Sequence, residues 1–133
     1  MSIAAIRGLF AVAALYDGLL GALFVVAPAW AFTQFGVTPP NHFGYVQFPA
    51  ALLLIFALLF FNIARDPHRH APLILYGVLL KIAYCSVTLT YWLSEGIPWI
   101  WKPFAVIDLV MLALFVAAWK SLLVRGDSRR RNP

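Results

Sequence analysis

The chain has 133 residues, of which 63% are hydrophobic and 11% are charged. This composition excludes an ordinary soluble globular domain and is typical of an integral membrane protein. At about 20 residues per crossing, the length suffices for one all-α domain, a membrane bundle of four helices. The 10 basic residues against 5 acidic ones do not predict nucleic-acid binding, because they lie where a membrane protein needs them. The single cysteine, Cys85, excludes an internal disulfide and a CxxC redox pair.

The first predicted span covers about residues 5–27 and is apolar except for Arg7 and Asp17. Its basic start, its apolar run and the triplet Ala29, Trp30, Ala31 also resemble a cleavable signal peptide. The run is longer than a signal core, however, and an aspartate is unusual in one, so we favour a retained helix. Small residues beside Asp17 predict close approach by another helix: Ala14, Gly18 and Gly21.

The second predicted span, residues 45–64, carries no charge and is expected to face lipid more than the others do. Before it, the aromatic segment 28–35 predicts a short helix in the headgroup layer. After it, a polar turn contains Asp66, His68 and His70. Three such ligands on one turn without a cysteine are a weak metal signal, so we assign no metal and interpret the segment as an interfacial turn.

The third predicted span, residues 72–93, has a polar face that we expect to point toward the other helices. Alternating spacings of four and three residues place five residues on that face, which is the pattern of one side of a helix. The opposite side is apolar and is expected to contact lipid. The polar face consists of Gly77, Lys81, Tyr84, Thr88 and Tyr91.

The fourth predicted span, residues 103–123, contains one charge before Lys120, namely Asp108, and a basic tail follows at 125–133. With four crossings, both termini and the loop between the second and third spans lie on one side of the membrane. That side collects eight of the ten basic residues, which predicts cytoplasmic termini. These eight are Arg7, Arg65, Arg69, Lys120, Arg125, Arg129, Arg130 and Arg131.

Three charged residues, one from each of three spans, are expected at one depth. A rise of about 1.5 Å per residue places Asp17 at about 18 Å, Lys81 at about 15 Å and Asp108 at about 20 Å from the cytoplasmic side of a core about 30 Å thick. We therefore predict that they form one buried cluster. Hydroxyl groups that could hydrogen-bond to it belong to Tyr16, Tyr84 and, less directly, Thr88.

The cluster has two interpretations. It is either an ion-paired strut that holds the helices together, or a functional site. One lysine neutralises one aspartate, so a second carboxyl is left over in a dry layer. Such a carboxyl is expected to hold a proton or to bind a cationic group.

The layout resembles that of the DoxX-like four-helix membrane proteins. The similarity consists of a basic residue before a glycine-containing first span, a proline at its end and an acid in the last span: Arg7, Gly18, Gly21, Pro28 and Asp108. The resemblance implies a four-helix fold in a bacterial inner membrane, in a group of which some members are associated with quinone or sulfur oxidation complexes. It assigns no catalytic residue.

The chain is also similar in size to the small multidrug resistance transporters, which have an acid in the first span, here Asp17. It departs from them in having Asp rather than Glu, a lysine that can neutralise it, and an extra interfacial segment.

We therefore expect a non-enzymatic accessory subunit or small-ligand-binding bundle. A homodimeric proton-coupled transporter is the first alternative, and an enzyme acting on a lipid or quinone is the second. The expected partners are the lipid bilayer and either a larger membrane complex or a second copy, and no cofactor is indicated.

Overall fold

The computed structural model describes the backbone of residues 1–131 and the side chains of residues 1–124. Over this part of the chain the regular structure is entirely helical, without a strand, as predicted. Four of the five α-helices are long and apolar enough to cross a membrane: α1, α3, α4 and α5. The α-helices are α1 (Ile3–Val26), α2 (Pro28–Phe35), α3 (Gly44–Arg65), α4 (Ile74–Ser94) and α5 (Trp101–Arg131), and a 3₁₀ turn (Ala71–Leu73) leads into α4.

The helix ends follow from local chemistry. The Ser2 side chain caps α1 by accepting a hydrogen bond from the backbone N–H of Ala5 at 3.1 Å. Pro28 opens α2, where its missing N–H is not needed, and Gly36 closes α2 with φ +62°, a conformation that suits glycine. The short helix after the first span is therefore confirmed as a helix.

The last helix is longer than the predicted span. It starts at Trp101 and continues past residue 123 to Arg131, so the backbone of the predicted tail is helical as far as that residue. Residues 132–133 and the side chains after position 124 lie outside the described part of the chain, and these include every side chain of the basic tail.

The bundle consists of two closely packed pairs, α1 with α3 and α4 with α5. The first pair approaches most closely at Gly21, where an added Cβ would lie 2.8 Å from the carbonyl oxygen of Ala50. At Gly18 a Cβ would lie 3.5 Å from that of Ala57, which is ordinary contact. The predicted close approach along the small residues of α1 is therefore confirmed, and its partner is α3.

The end of the bundle near the N-terminus is tightly filled. Phe10 stacks on Phe115 at 4.6 Å between ring centroids, and Phe60 meets Phe115 edge-on at 5.2 Å. Gly77 of α4 leaves room for these rings, because a Cβ there would lie 2.6 Å from Phe60 Cε1. We call this layer of Phe10, Phe60, Gly77 and Phe115 the packed end.

The opposite end has a smaller core. Its buried residues come from α1, α2 and α3, and Trp101 of α5 packs against them. Within the described side chains, α4 contributes nothing to this core, although it contributes Ile74 and Val78 to the other one. Thus α4 packs against α1 and α3 near the packed end and not at the other end. We call the region around Phe24, Ala50 and Trp101 the open end.

Exposure along α3 and α4 agrees with most of the expected faces. The α3 helix is the least buried of the four long helices, as predicted from its lack of charge. On the polar face of α4, Gly77 and Lys81 are buried and Thr88 is half-buried. The expectation was wrong for Tyr91, which is 51% exposed, because at the open end α4 does not join the described core of α1, α2 and α3.

Candidate functional site

The structure brings Asp17, Lys81 and Asp108 together between the two helix pairs. The Lys81 ammonium donates to both carboxylate oxygens of Asp17, at 3.0 and 3.1 Å from Nζ. Both side chains are 1% exposed. Because both charges are out of water, the pairing is what makes each of them tolerable inside the bundle.

Asp108 is held differently from Asp17. Its Oδ1 lies 2.9 Å from Lys81 Nζ, which is an ion-pair distance, but the angles do not fit a hydrogen bond and this buried oxygen has no hydrogen-bond donor among the described residues. The side chain also keeps more exposed surface, 8% against 1% for Asp17. Lys81 thus gives its hydrogen bonds to Asp17, whereas Asp108 contacts the same ammonium only as an ion pair.

The hydroxyl groups predicted to support the cluster do not do so directly. Tyr16 presents its ring to the ammonium, with Lys81 Nζ 5.4 Å from the ring centroid, which is within cation–π range. Tyr84 borders the same space, and Thr88 lies about one turn beyond it on α4. Over the described side chains, no hydrogen bond joins the hydroxyl of Tyr16, Tyr84 or Thr88 to either acid.

A cavity of about 430 Å³ reaches the cluster from the open end. All four long helices line it, and the lining is apolar or aromatic except around the three charges. Four of its lining residues are exposed on the outside of the bundle, and all four come from α3 and α4: Tyr45, Pro49, Leu52 and Ala83. The cavity therefore opens sideways, between α3 and α4.

The sequence does not predict this cavity. It results from the separation of α4 from α1 and α3 beyond Lys81, and no residue pattern marks that separation. Trp101 and Phe104, which line the cavity, resemble ordinary interfacial and core aromatics in the sequence. Leu52 and Ala83, which also line the cavity, are apolar residues within predicted spans and resemble lipid-facing positions in the sequence.

The polar turn after α3 is organised by the Asp66 carboxylate. The backbone N–H of Arg69 donates to Asp66 Oδ1 at 3.2 Å, and this bond holds the pKa of Asp66 below its ordinary value. Among the described residues, no group of three or more His, Cys, Asp or Glu is arranged to bind a metal ion. Asp66 acts as a cap for this turn.

Comparisons with protein-family models, with curated proteins and with solved structures find no match for this chain. Its function is therefore inferred from the geometry of the cluster and the cavity.

Proposed function

We propose that this chain is a four-span membrane protein that binds one small, mainly apolar molecule in the cavity, with a polar group of that molecule at the charged cluster. The observation that carries the proposal is the sideways-opening cavity that ends at Asp17, Lys81 and Asp108. A strut that only held the helices together would not need a cavity beside it. A volume of about 430 Å³, an apolar wall and a few converging polar groups are the usual features of a small-molecule site.

The membrane setting supports this proposal. Large apolar side chains are exposed along all four long helices, which is unfavourable in water and favourable in lipid. An opening between α3 and α4 at the level of Leu52 and Ala83 would then face acyl chains, so that the ligand enters from the bilayer. The location that we propose is a bacterial inner membrane with cytoplasmic termini, on the basis of the basic residues and the DoxX-like layout.

Ligand binding can be tested by narrowing the opening. Ala83 is exposed and lines the cavity, whereas the adjacent Ile82 is 46% exposed and does not line it. The Ala83→Trp variant should lose a small molecule that co-purifies with the wild type in lipid nanodiscs, and Ile82→Trp should retain it. Mass spectrometry of solvent extracts, compared with empty nanodiscs, measures this difference.

A single-probe titration covers the case of a ligand that dissociates during purification. The probe is 4-phenylbutan-1-ol, which is small enough for the cavity and carries one hydroxyl for the cluster. We expect saturable binding to the wild type and to Ile82→Trp, with at least about tenfold weaker binding to Ala83→Trp, because a Trp there fills the entrance. If nothing co-purifies, and neither this alcohol nor the amine and the carboxylic acid of the same shape bind saturably, the proposed function is wrong.

The proposed topology has its own test. In a Cys85→Ala background, a cysteine is placed in the loop after α3 by His68→Cys or at the end of α4 by Ser94→Cys; both positions are exposed. A membrane-impermeant maleimide should label Ser94→Cys in intact cells and His68→Cys only after permeabilisation. The reverse labelling pattern would invert the proposed orientation.

A proton-coupled transporter is the second candidate, favoured by one observation. The cavity reaches the cluster from the open end only, while Phe10, Phe60 and Phe115 fill the bundle on the other side. This is the arrangement expected of one state of an alternating-access carrier. If so, substrate-driven proton release in proteoliposomes should disappear in Asp17→Asn and Asp108→Asn, and unchanged release in both variants would exclude transport of this kind.

A further inference from the structure

The polar end of the cavity has an unbalanced charge. Two carboxylates meet one ammonium there, so the cluster carries one excess negative charge when all three groups are ionised. Lys81 donates its hydrogen bonds to Asp17 and meets Asp108 Oδ1 as an ion pair at 2.9 Å, and no hydrogen bond from a described residue reaches the other oxygen of the Asp108 carboxylate. Asp108 is 6% exposed and lines the cavity. A carboxylate that is more than nine-tenths buried and lines a cavity, with one oxygen that no described donor reaches, is a position where a ligand can supply a donor.

The wall of the cavity is rich in aromatic rings. Several of these rings pack against one another, with centroids 6.0 Å apart for Phe24 and Trp101 and 6.1 Å apart for Trp101 and Phe104. The faces of aromatic rings are electron-rich and attract cations, most strongly where water is excluded. The six aromatic residues of the lining are Tyr16, Phe24, Tyr45, Tyr84, Trp101 and Phe104.

We propose that the cavity selects an organic cation, namely an ammonium group on an apolar body, whose N–H groups donate to Asp108. The inference rests on the proposed function, since it names the class of ligand for the same cavity. A cation balances the excess charge and provides the missing hydrogen bond. A neutral alcohol provides only the hydrogen bond, and an anion adds a third negative charge beside two carboxylates.

Three probes of nearly equal shape and different charge test this selection: 4-phenylbutylamine, 4-phenylbutan-1-ol and 4-phenylbutanoate. At pH 7 the amine is a cation and the acid an anion. Binding is measured by calorimetry in nanodiscs of zwitterionic lipid, with empty nanodiscs subtracted. We expect the affinity for the amine to be at least about tenfold higher than for the alcohol, because charge-assisted hydrogen bonds are stronger than neutral ones. The acid should bind most weakly, because its negative charge is repelled by the two carboxylates.

Two variants assign the selectivity to Asp108. Asp108→Asn keeps the shape of the side chain and removes its charge, so it should weaken binding of the amine by about tenfold and change binding of the alcohol by no more than about twofold. Glu95→Gln is the matched control, because Glu95 is an exposed acid just after α4 and does not line the cavity. It should leave both affinities unchanged.

The outcomes separate this inference from the proposed function. If the alcohol or the acid binds as tightly as the amine, the cavity binds small molecules but does not select cations, and only the inference is overturned. An amine preference that persists in a folded Asp108→Asn protein would also overturn it, by removing Asp108 from recognition. If Asp108→Asn does not fold, the ratio of amine to alcohol affinity in the wild type still decides. Absence of saturable binding by all three probes would reject both proposals.

Discussion

The two ends of the bundle differ in how α4 meets its neighbours, although α4 as a whole is hydrophobic enough to cross a membrane. At the packed end, Gly77 lets the rings of Phe60 and Phe115 lie directly against the α4 backbone. At the open end, no described side chain of α4 joins the core around Phe24, and a cavity takes its place. Lys81 lies at the transition, so the charged cluster has a filled core on one side and a cavity on the other. The difference indicates that the packed end contributes more to the stability of the fold, and the cavity at the open end is where we propose that a ligand binds.

Removal of the lysine should have the largest effect on this arrangement. Lys81→Met leaves two buried carboxylates without a partner, and breaking a buried pair in this way costs about 3–5 kcal/mol. Reversible unfolding in mixed detergent micelles, followed by circular dichroism, measures the loss. The variant that combines Lys81→Met with Asp17→Leu and Asp108→Leu should recover most of the stability, because apolar replacements of a buried ion-pair group are often neutral. Wild-type stability in the single variant would show that the carboxyls are not confined in a dry layer.

A matched pair of aromatic truncations compares the two ends directly. Phe60 is fully buried in the packed end, so Phe60→Ala should leave a void and destabilise the protein by about 3 kcal/mol. Phe104 already borders the cavity, so Phe104→Ala removes fewer contacts and should cost roughly half as much or less. Equal losses in the same unfolding assay would mean that both ends are equally well packed, which would contradict the comparison.

A pair of glycine substitutions tests the contact between α1 and α3. Gly21→Ala forces a methyl group to within 2.8 Å of the Ala50 carbonyl oxygen and should cost about 1–3 kcal/mol. Gly18→Ala has room, with its nearest neighbour 3.5 Å away, and should be neutral or slightly stabilising because alanine favours the helix. Since α3 also lines the cavity, Gly21→Ala should reduce probe binding as well. A Gly21→Ala protein that is as stable as Gly18→Ala would rule out the close approach.

The smallest effect is expected in the turn after α3. The pKa of Asp66 is lowered by the Arg69 backbone N–H, so the stabilisation from this bond is present above the unfolded-state pKa of about 3.9 and is lost as the pH falls through the lower folded-state value. Asp66→Asn should therefore be slightly less stable than the wild type at pH 7, and the difference should vanish in strong acid. Stability curves measured against pH for the two proteins check this. A constant difference down to pH 2 would exclude the charged form of Asp66 as its cause.

Much of the fold follows from the sequence, because the properties involved are local. The rise per residue determines depth, so the heights of Asp17, Lys81 and Asp108 could be calculated before any contact was known. Helical periodicity places Lys81 on the same face as Gly77, and small side chains mark where α1 can approach another helix.

Only the tertiary structure decided which acid receives the directed hydrogen bonds, where α4 separates from α1 and α3, and that Tyr91 remains exposed. These features depend on the tilt and spacing of whole helices. Tilt and spacing result from many weak side-chain contacts between residues far apart in the chain, and no local pattern encodes their sum. The common height of the three charged residues was therefore predictable from the sequence, whereas the cavity beside them was not.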